Sequence, residues 1–151
     1  MAAKNPTWKK GRGKLGVLQP LLGNWVADAE TPMGPVRCTR SFSKTLGDNY
    51  VLLEAKWHFG KNVYEERALF GVDREGRVAF WSFTNDGKNA QGLLVDAPDV
   101  HADAIAFEAE MPAGTARMVY WPGDDGQVNW AVESKTKKGW NRFTHHHYRT
   151  A

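Results

Sequence analysis

The sequence predicts an all-β protein: a ten-stranded antiparallel up-and-down barrel preceded by a short N-terminal helical turn. Three observations carry this expectation. Turn-forming clusters recur at roughly 8–12-residue spacing, the interval expected of a sandwich or barrel of short strands. The segments between them are rich in Val, Phe, Tyr and Trp, which suit a pleated, half-buried surface. Only "KLGVLQPLL" (14–22) has a helical pattern, and Pro20 limits it to a short turn-like helix.

The turn clusters are "TPMGP" (31–35), "LGDN" (46–49), "GKN" (60–62), "DREG" (73–76), "NDGKN" (85–89), "APDVHAD" (97–103), "PAG" (112–114), "PGDDG" (122–126) and "TKKG" (136–139). These nine separators leave ten extended segments. Gaps this short join antiparallel neighbours, because a parallel pair needs a long crossover. Closing so many strands into a barrel removes their exposed edges.

Composition sets the outer limits. A chain of 151 residues, 42% apolar and with seven Trp, has the length of one domain and can bury a core. The expected organisation is a basic, flexible arm over residues 1–13 followed by a single barrel domain over 14–151. No stretch approaches the roughly 18 apolar residues of a membrane span, so no membrane partner is expected. The start, "MAAKNPTWKKGRGK", lacks the apolar core of a secretory signal. A lone Cys38 allows no internal disulfide, which points to the reducing cytoplasm. Although the net charge is +3, Lys4, Lys9, Lys10, Arg12 and Lys14 stand in the first fourteen residues without an acid among them, leaving the body slightly acidic. Nucleic acid is thus expected to bind weakly at most, through the arm, which otherwise reads as a frayed, solvated terminus. A homodimer is left open.

Side chains of a strand alternate between faces. Trp25, Ala27 and Ala29 share one side of the first strand. Val36, Cys38 and Phe42 share the apolar side of the second, with Arg40 among them. The third turns Val51, Leu53, Ala55, Trp57 and Phe59 inward, and leaves Glu54, Lys56 and His58 outside. On the fourth, Tyr64, Ala68 and Phe70 face in, with Glu66 between them. Ile105, Phe107 and Ala109 mark the seventh strand, Val128, Trp130 and Val132 the ninth. Strands two and four therefore each carry one charge in an otherwise apolar interior row.

"LLGNW" (21–25) is similar to the Gly-x-Trp opening of lipocalins and fatty-acid-binding proteins, whose first strand begins with a Trp at the closed end of the barrel. "ERALFGVDREGRVAFWS" (66–82) resembles the middle of a bacterial family of lipocalin-like domains of unknown function. That family has a Gly-x-Asp turn, then Gly-Arg and an aromatic strand, and ends in a Tyr-Arg pair like Tyr148–Arg149. The resemblance covers residues 18–149 and implies a calycin-type barrel with an interior cavity. It implies no activity, because that family is defined by its fold. More remotely, the nitrobindins are ten-stranded barrels that hold haem through a His on the last strand. Alignment with them puts Arg142 at the iron-ligand position, and a guanidinium has no lone pair to donate. His146 lies four residues further along, so a haem-binding barrel stays an alternative, although no cofactor is expected.

The last strand, "GWNRFTHHHYRT", divides into Trp140, Arg142, Thr144, His146 and Tyr148 on one side and Asn141, Phe143, His145, His147 and Arg149 on the other. Alternation alone does not choose between them. Fatty-acid-binding proteins end in an inward Arg-x-Tyr, and matching His146-x-Tyr148 to it turns the even set inward. His145 and His147 then sit outside, about 7 Å apart along the strand. Two imidazoles without a third ligand are not expected to form a metal site. Cys38 reads as inert packing, and neither a G-x-S-x-G elbow nor a phosphate loop is present. No catalytic residue is expected.

These residues together predict a barrel that binds a small hydrophobic or amphipathic molecule with a polar or anionic head. Trp57, Tyr64, Phe70, Phe107 and Trp130 are expected to wall the cavity. Arg40, Glu66, Arg142, His146 and Tyr148 are expected to orient the head. The alternatives are an enzyme using His146 or Glu66 as acid–base in the same pocket, and a structural or interaction protein whose barrel is filled by its own side chains.

Overall fold

A computed structural model describes residues 8–151, so residues 1–7 of the basic arm lie outside the described residues. Ten strands follow the expected segments: β1 (Gly23–Thr31), β2 (Gly34–Thr45), β3 (Tyr50–Phe59), β4 (Asn62–Val72), β5 (Val78–Thr84), β6 (Asn89–Val95), β7 (Ile105–Met111), β8 (Gly114–Pro122), β9 (Val128–Thr136) and β10 (Gly139–Thr150). Each pairs antiparallel with its neighbour in sequence, and β10 returns to β1 to close the barrel. "KLGVLQPL" forms a 3-10 helix over Lys14–Leu21 with Pro20 inside it.

The expected alternation is visible in burial. On β2 Val36, Cys38, Arg40 and Phe42 are buried while the residues between them are not. Val51, Leu53 and Ala55 do the same on β3. In an up-and-down barrel alternate turns share an end. The 3-10 helix lies at the end that carries the β2–β3, β4–β5, β6–β7 and β8–β9 turns. There Leu18 and Leu21 are fully buried, Trp25 Nε1 donates to the Leu21 carbonyl at 2.8 Å, and Lys14 Nζ donates to the Gly76 carbonyl. That end is closed. Behind it the interior is filled by aromatic rings in tilted and edge-to-face contact: Phe70–Phe107 at 5.1 Å, Phe80–Phe107 at 5.6 Å and Phe42–Tyr120 at 5.8 Å. Each such pair contributes about 0.5–1.5 kcal/mol beyond its buried area. Gly92 on β6 makes room for this layer, since a Cβ there would stand 2.6 Å from Phe80 and 2.2 Å from the Glu108 carbonyl oxygen.

Three features depart from a regular barrel. The β6–β7 loop folds over the outer face of β7 and β8, so that Ala97, Ala106 and Val119 form a second small core outside the barrel with Trp121 and Val100 against it. β10 carries a bulge: Arg142 pairs with Glu133 but Thr144 pairs with Val132, leaving Phe143 as the extra residue. And β1 meets β10 only at Trp25–Thr150 and Val26–Arg149, so the seam parts above those pairs.

Part of the arm is held. Trp8 is half-buried against the core and its Nε1 donates to the Asp103 carbonyl at 2.9 Å. Gly11 N–H donates to the Gly16 carbonyl at 2.8 Å, and a Cβ on Gly16 would lie 2.1 Å from the Gly11 oxygen.

Candidate functional site

A pocket of about 470 Å³ opens at the end opposite the 3-10 helix, bordered by the β5–β6 and β7–β8 turns. Its wall includes Arg40, Tyr64, Glu66, Phe107 and Trp130 of the expected residues. A smaller space of about 210 Å³ shares Arg40, Tyr64, Glu66 and Trp130 with it and adds Trp57. Five strands thus converge on one site, because β2, β3, β4, β7 and β9 all turn the same alternate face inward.

Arg40 lies at the base of this site and is 2% exposed. Its Nη2 donates to Tyr120 Oη at 2.7 Å, and Glu66 Oε1 stands 4.0 Å away. The guanidinium carbon sits 4.4 Å from the Trp130 ring centroid and 6.0 Å from that of Tyr148. Burial pushes the phenols of Tyr120 and Tyr148 up, so both keep their protons. A guanidinium is always charged, yet here only one carboxylate is near it, at the limit of an ion pair. Two buried donors in the described residues lack a well-formed hydrogen bond, Arg40 Nε and Trp130 Nε1, although the Tyr120 hydroxyl stands near the Trp130 indole. Both residues line the pocket.

His146 and Tyr148 face inward as expected but lie beside the pocket, not on it. His146 is 5% exposed, its ring 5.1 Å from both Trp57 and Trp130, with Nδ1 and Tyr148 Oη hydrogen-bonded at 3.1 Å. Burial pushes its pKa down to about 4, helped by the charge of Arg40, so the imidazole is neutral and a weak base at neutral pH. Burial pushes the Cys38 thiol up to about 11, far from a reactive thiolate. Among the described residues no His, Cys, Asp or Glu cluster has the makings of a metal site.

Two further expected residues are placed elsewhere. Phe70 faces inward but is fully buried in the aromatic layer below the pocket, because alternation gives a residue's face and not its depth. Arg142 is on the outside. The extra residue in the β10 bulge reverses the alternation, so Trp140 and Arg142 share the outer face with Glu133 while Thr144, His146 and Tyr148 point in. There Arg142 Nε donates to Glu133 Oε2 at 2.9 Å and its guanidinium covers Trp121 at 4.8 Å. Arg117, 4% exposed, donates to the other Glu133 oxygen at 2.7 Å and to both oxygens of Asp99, under Trp140. His145 and His147 stand outside as expected, their rings 4.4 Å apart, with His145 bonded to Asn129. Arg142, on the outside and without a lone pair to donate, does not fit an axial ligand to haem iron.

Sequence reasoning missed Ser82, Met118 and Phe143 on the pocket wall. Ser82 and Met118 share alternation faces with Phe80 and Tyr120, so the signal was present. Phe143 is visible only once the bulge is known. No helix among the described residues is long and apolar enough to cross a membrane. The chain matches no protein-family model, and no curated protein matches it in sequence.

Proposed function

We propose that this chain is a calycin-type, lipocalin-like barrel that binds a small amphipathic molecule, its polar or anionic head at Arg40 and its apolar body toward the open end. The observation that carries this reading is the pair of unpartnered donors, Arg40 Nε and Trp130 Nε1, buried in the pocket wall. Leaving a buried donor unmade costs about 1–3 kcal/mol, which a ligand acceptor brought to either N–H recovers. The body of the ligand lies along Phe107, Ala109, Met118, Val132 and Phe143, a lining that is mostly carbon. Glu66 supplies a partial counter-charge and orients Arg40 when the pocket holds no acceptor.

Native mass spectrometry of the protein as purified from cells tests for a retained molecule, and displacement of a fluorescent fatty-acid-like probe tests the head group. Binding of an acidic or carbonyl-headed probe that weakens at least tenfold in Arg40→Met supports the reading. A barrel that takes up no probe and retains nothing removes it in favour of a filled, structural barrel.

A further inference from the structure

We propose that the open end of the barrel is a docking face for an anionic lipid surface. The reading builds on the ligand-binding function proposed above, since the pocket opens at this same face.

The charges of the turns are divided by end. The four turns at the closed end carry Asp48, Asp73, Glu75, Asp96, Asp99, Asp103, Asp124 and Asp125 against Arg74 and Arg77. The basic residues Lys9, Lys10, Arg12 and Lys14 lie in the segment held against that same end, through Trp8 on Asp103 and Lys14 on Gly76. The five turns at the open end carry Lys61, Lys88, Lys137 and Lys138 against one acid, Asp86. Asp86 is itself occupied by Thr84 Oγ1 and the Lys88 backbone N–H. All four of these lysines are exposed.

Between the lysine turns stand apolar ones. The β1–β2 tip is Pro32-Met33 and the β7–β8 tip is Pro112-Ala113. Met33 is 79% exposed and Phe143, at the rim, 61%. Such side chains at turn tips add nothing to the barrel's own packing. Lysines interleaved with protruding apolar tips match a lipid interface, where ammonium groups meet phosphate and apolar tips enter the acyl boundary. An acidic protein partner would satisfy the lysines but gives no reason for Met33 to stand out. Docked this way, the mouth of the pocket faces the layer from which an amphipathic molecule is drawn or into which it is released. The closed end, where eight acids outweigh Arg74, Arg77 and the four basic residues of the arm by two, then points away from the surface, so the field of the molecule favours the same orientation.

The test is cosedimentation of the full chain with vesicles of phosphatidylcholine alone or mixed with phosphatidylglycerol, at low and at near-physiological salt. The expected result is binding to the anionic vesicles only, weakening severalfold as the Debye length shortens from about 30 to 8 Å. Lys137→Glu/Lys138→Glu is expected to lower the partition coefficient about tenfold, and Met33→Ser to lower it further. Lys9→Glu/Lys10→Glu leaves it unchanged. Equal binding to neutral vesicles, no binding at all, or loss in the Lys9/Lys10 variant alone overturns the proposal. So does concentration-dependent dimerisation abolished by Met33→Ser, which would assign the face to a second copy. Because vesicle binding is read without any bound ligand and the displacement assay without vesicles, failure of either is told apart from failure of the other.

Discussion

The guanidinium of Arg40 lies 4.4 Å over the indole of Trp130, and each of the two residues buries an N–H without a well-formed hydrogen bond among the described residues. The stack itself is favourable, worth about 2 kcal/mol for a desolvated cation on an indole. It cannot satisfy donors that lie in the planes of the two groups. Trp130→Phe keeps a ring under Arg40 and deletes one orphan donor. Stability by urea unfolding is expected to change by less than about 1.5 kcal/mol, and affinity for an acceptor-headed probe to fall about threefold to tenfold. Arg40→Met removes a buried charge whose nearest carboxylate is 4.0 Å away, and replacing a poorly compensated charge by a hydrophobe is often near neutral. Its binding loss should exceed that of Trp130→Phe. Probe affinity unchanged in both variants would put the head group elsewhere.

His146 makes stability depend on pH. Burial between Trp57 and Trp130, with Arg40 from β2 and His145 and His147 on its own strand, pushes it down to about 4, while the unfolded chain titrates near 6.5. Below the unfolded value the unfolded state takes up a proton that the folded state refuses. The stability held by His146 is therefore complete above pH 6.5 and drains away as the pH falls toward 4. The full loss is about 3 kcal/mol. Urea midpoints at pH 7.5, 5.5 and 4.5 should decline, and His146→Gln should flatten the decline. Replacing His145 and His147 together by Ala should leave most of it in place, because burial is the largest cause at His146 and the two outer rings only add to it. The reverse result would mean that an outer histidine governs the titration.

The ten strands were legible because two independent signals agree: turn residues at each reversal and period-2 alternation between them. Arg40 and Glu66 were legible as charges in apolar rows. Trp140 and Arg142 were not, since a single added residue, Phe143, turns every side chain before it to the other face, and "NRFT" carries no mark of a bulge. Phe70 was given its face but not its depth. The small core of Ala97, Ala106 and Val119 outside the barrel depends on how a nine-residue connection folds back, which alternation along β7 and β8 does not encode.

Glu133 should matter more than any residue of the outer face that sequence singled out. It is 4% exposed and accepts from Arg117 and Arg142 together. Glu133→Ala leaves Arg117, itself 4% exposed, with Asp99 alone, and breaking a buried pair in this way costs about 3–5 kcal/mol. Arg142→Ala removes a half-exposed partner and should cost about 1 kcal/mol or less. Neither residue's side chain orients the proposed head group, so Arg142→Ala should leave probe displacement unaltered. Reduced probe affinity in Arg142→Ala, with stability intact, would return that side chain to the pocket.

The basic arm divides at Trp8. Residues from Trp8 onward are fastened by the indole bond to Asp103, by the close contact of Gly11 with Gly16 and by the bond from Lys14 Nζ to the Gly76 carbonyl. Removing residues 1–13 takes away a half-buried indole and its hydrogen bond, together about 2–3 kcal/mol, a drop of about 5–10 °C for a protein of this size. Two comparisons separate the contributions. Trp8→Ala should reproduce most of the loss at any ionic strength, whereas Lys9→Glu/Lys10→Glu should destabilise only at low salt, because exposed charges are screened beyond about 10 Å at 0.1 M. Should the truncated chain melt with the full-length one, Trp8 is a bystander and the closed end is sealed by Leu18 and Leu21 alone.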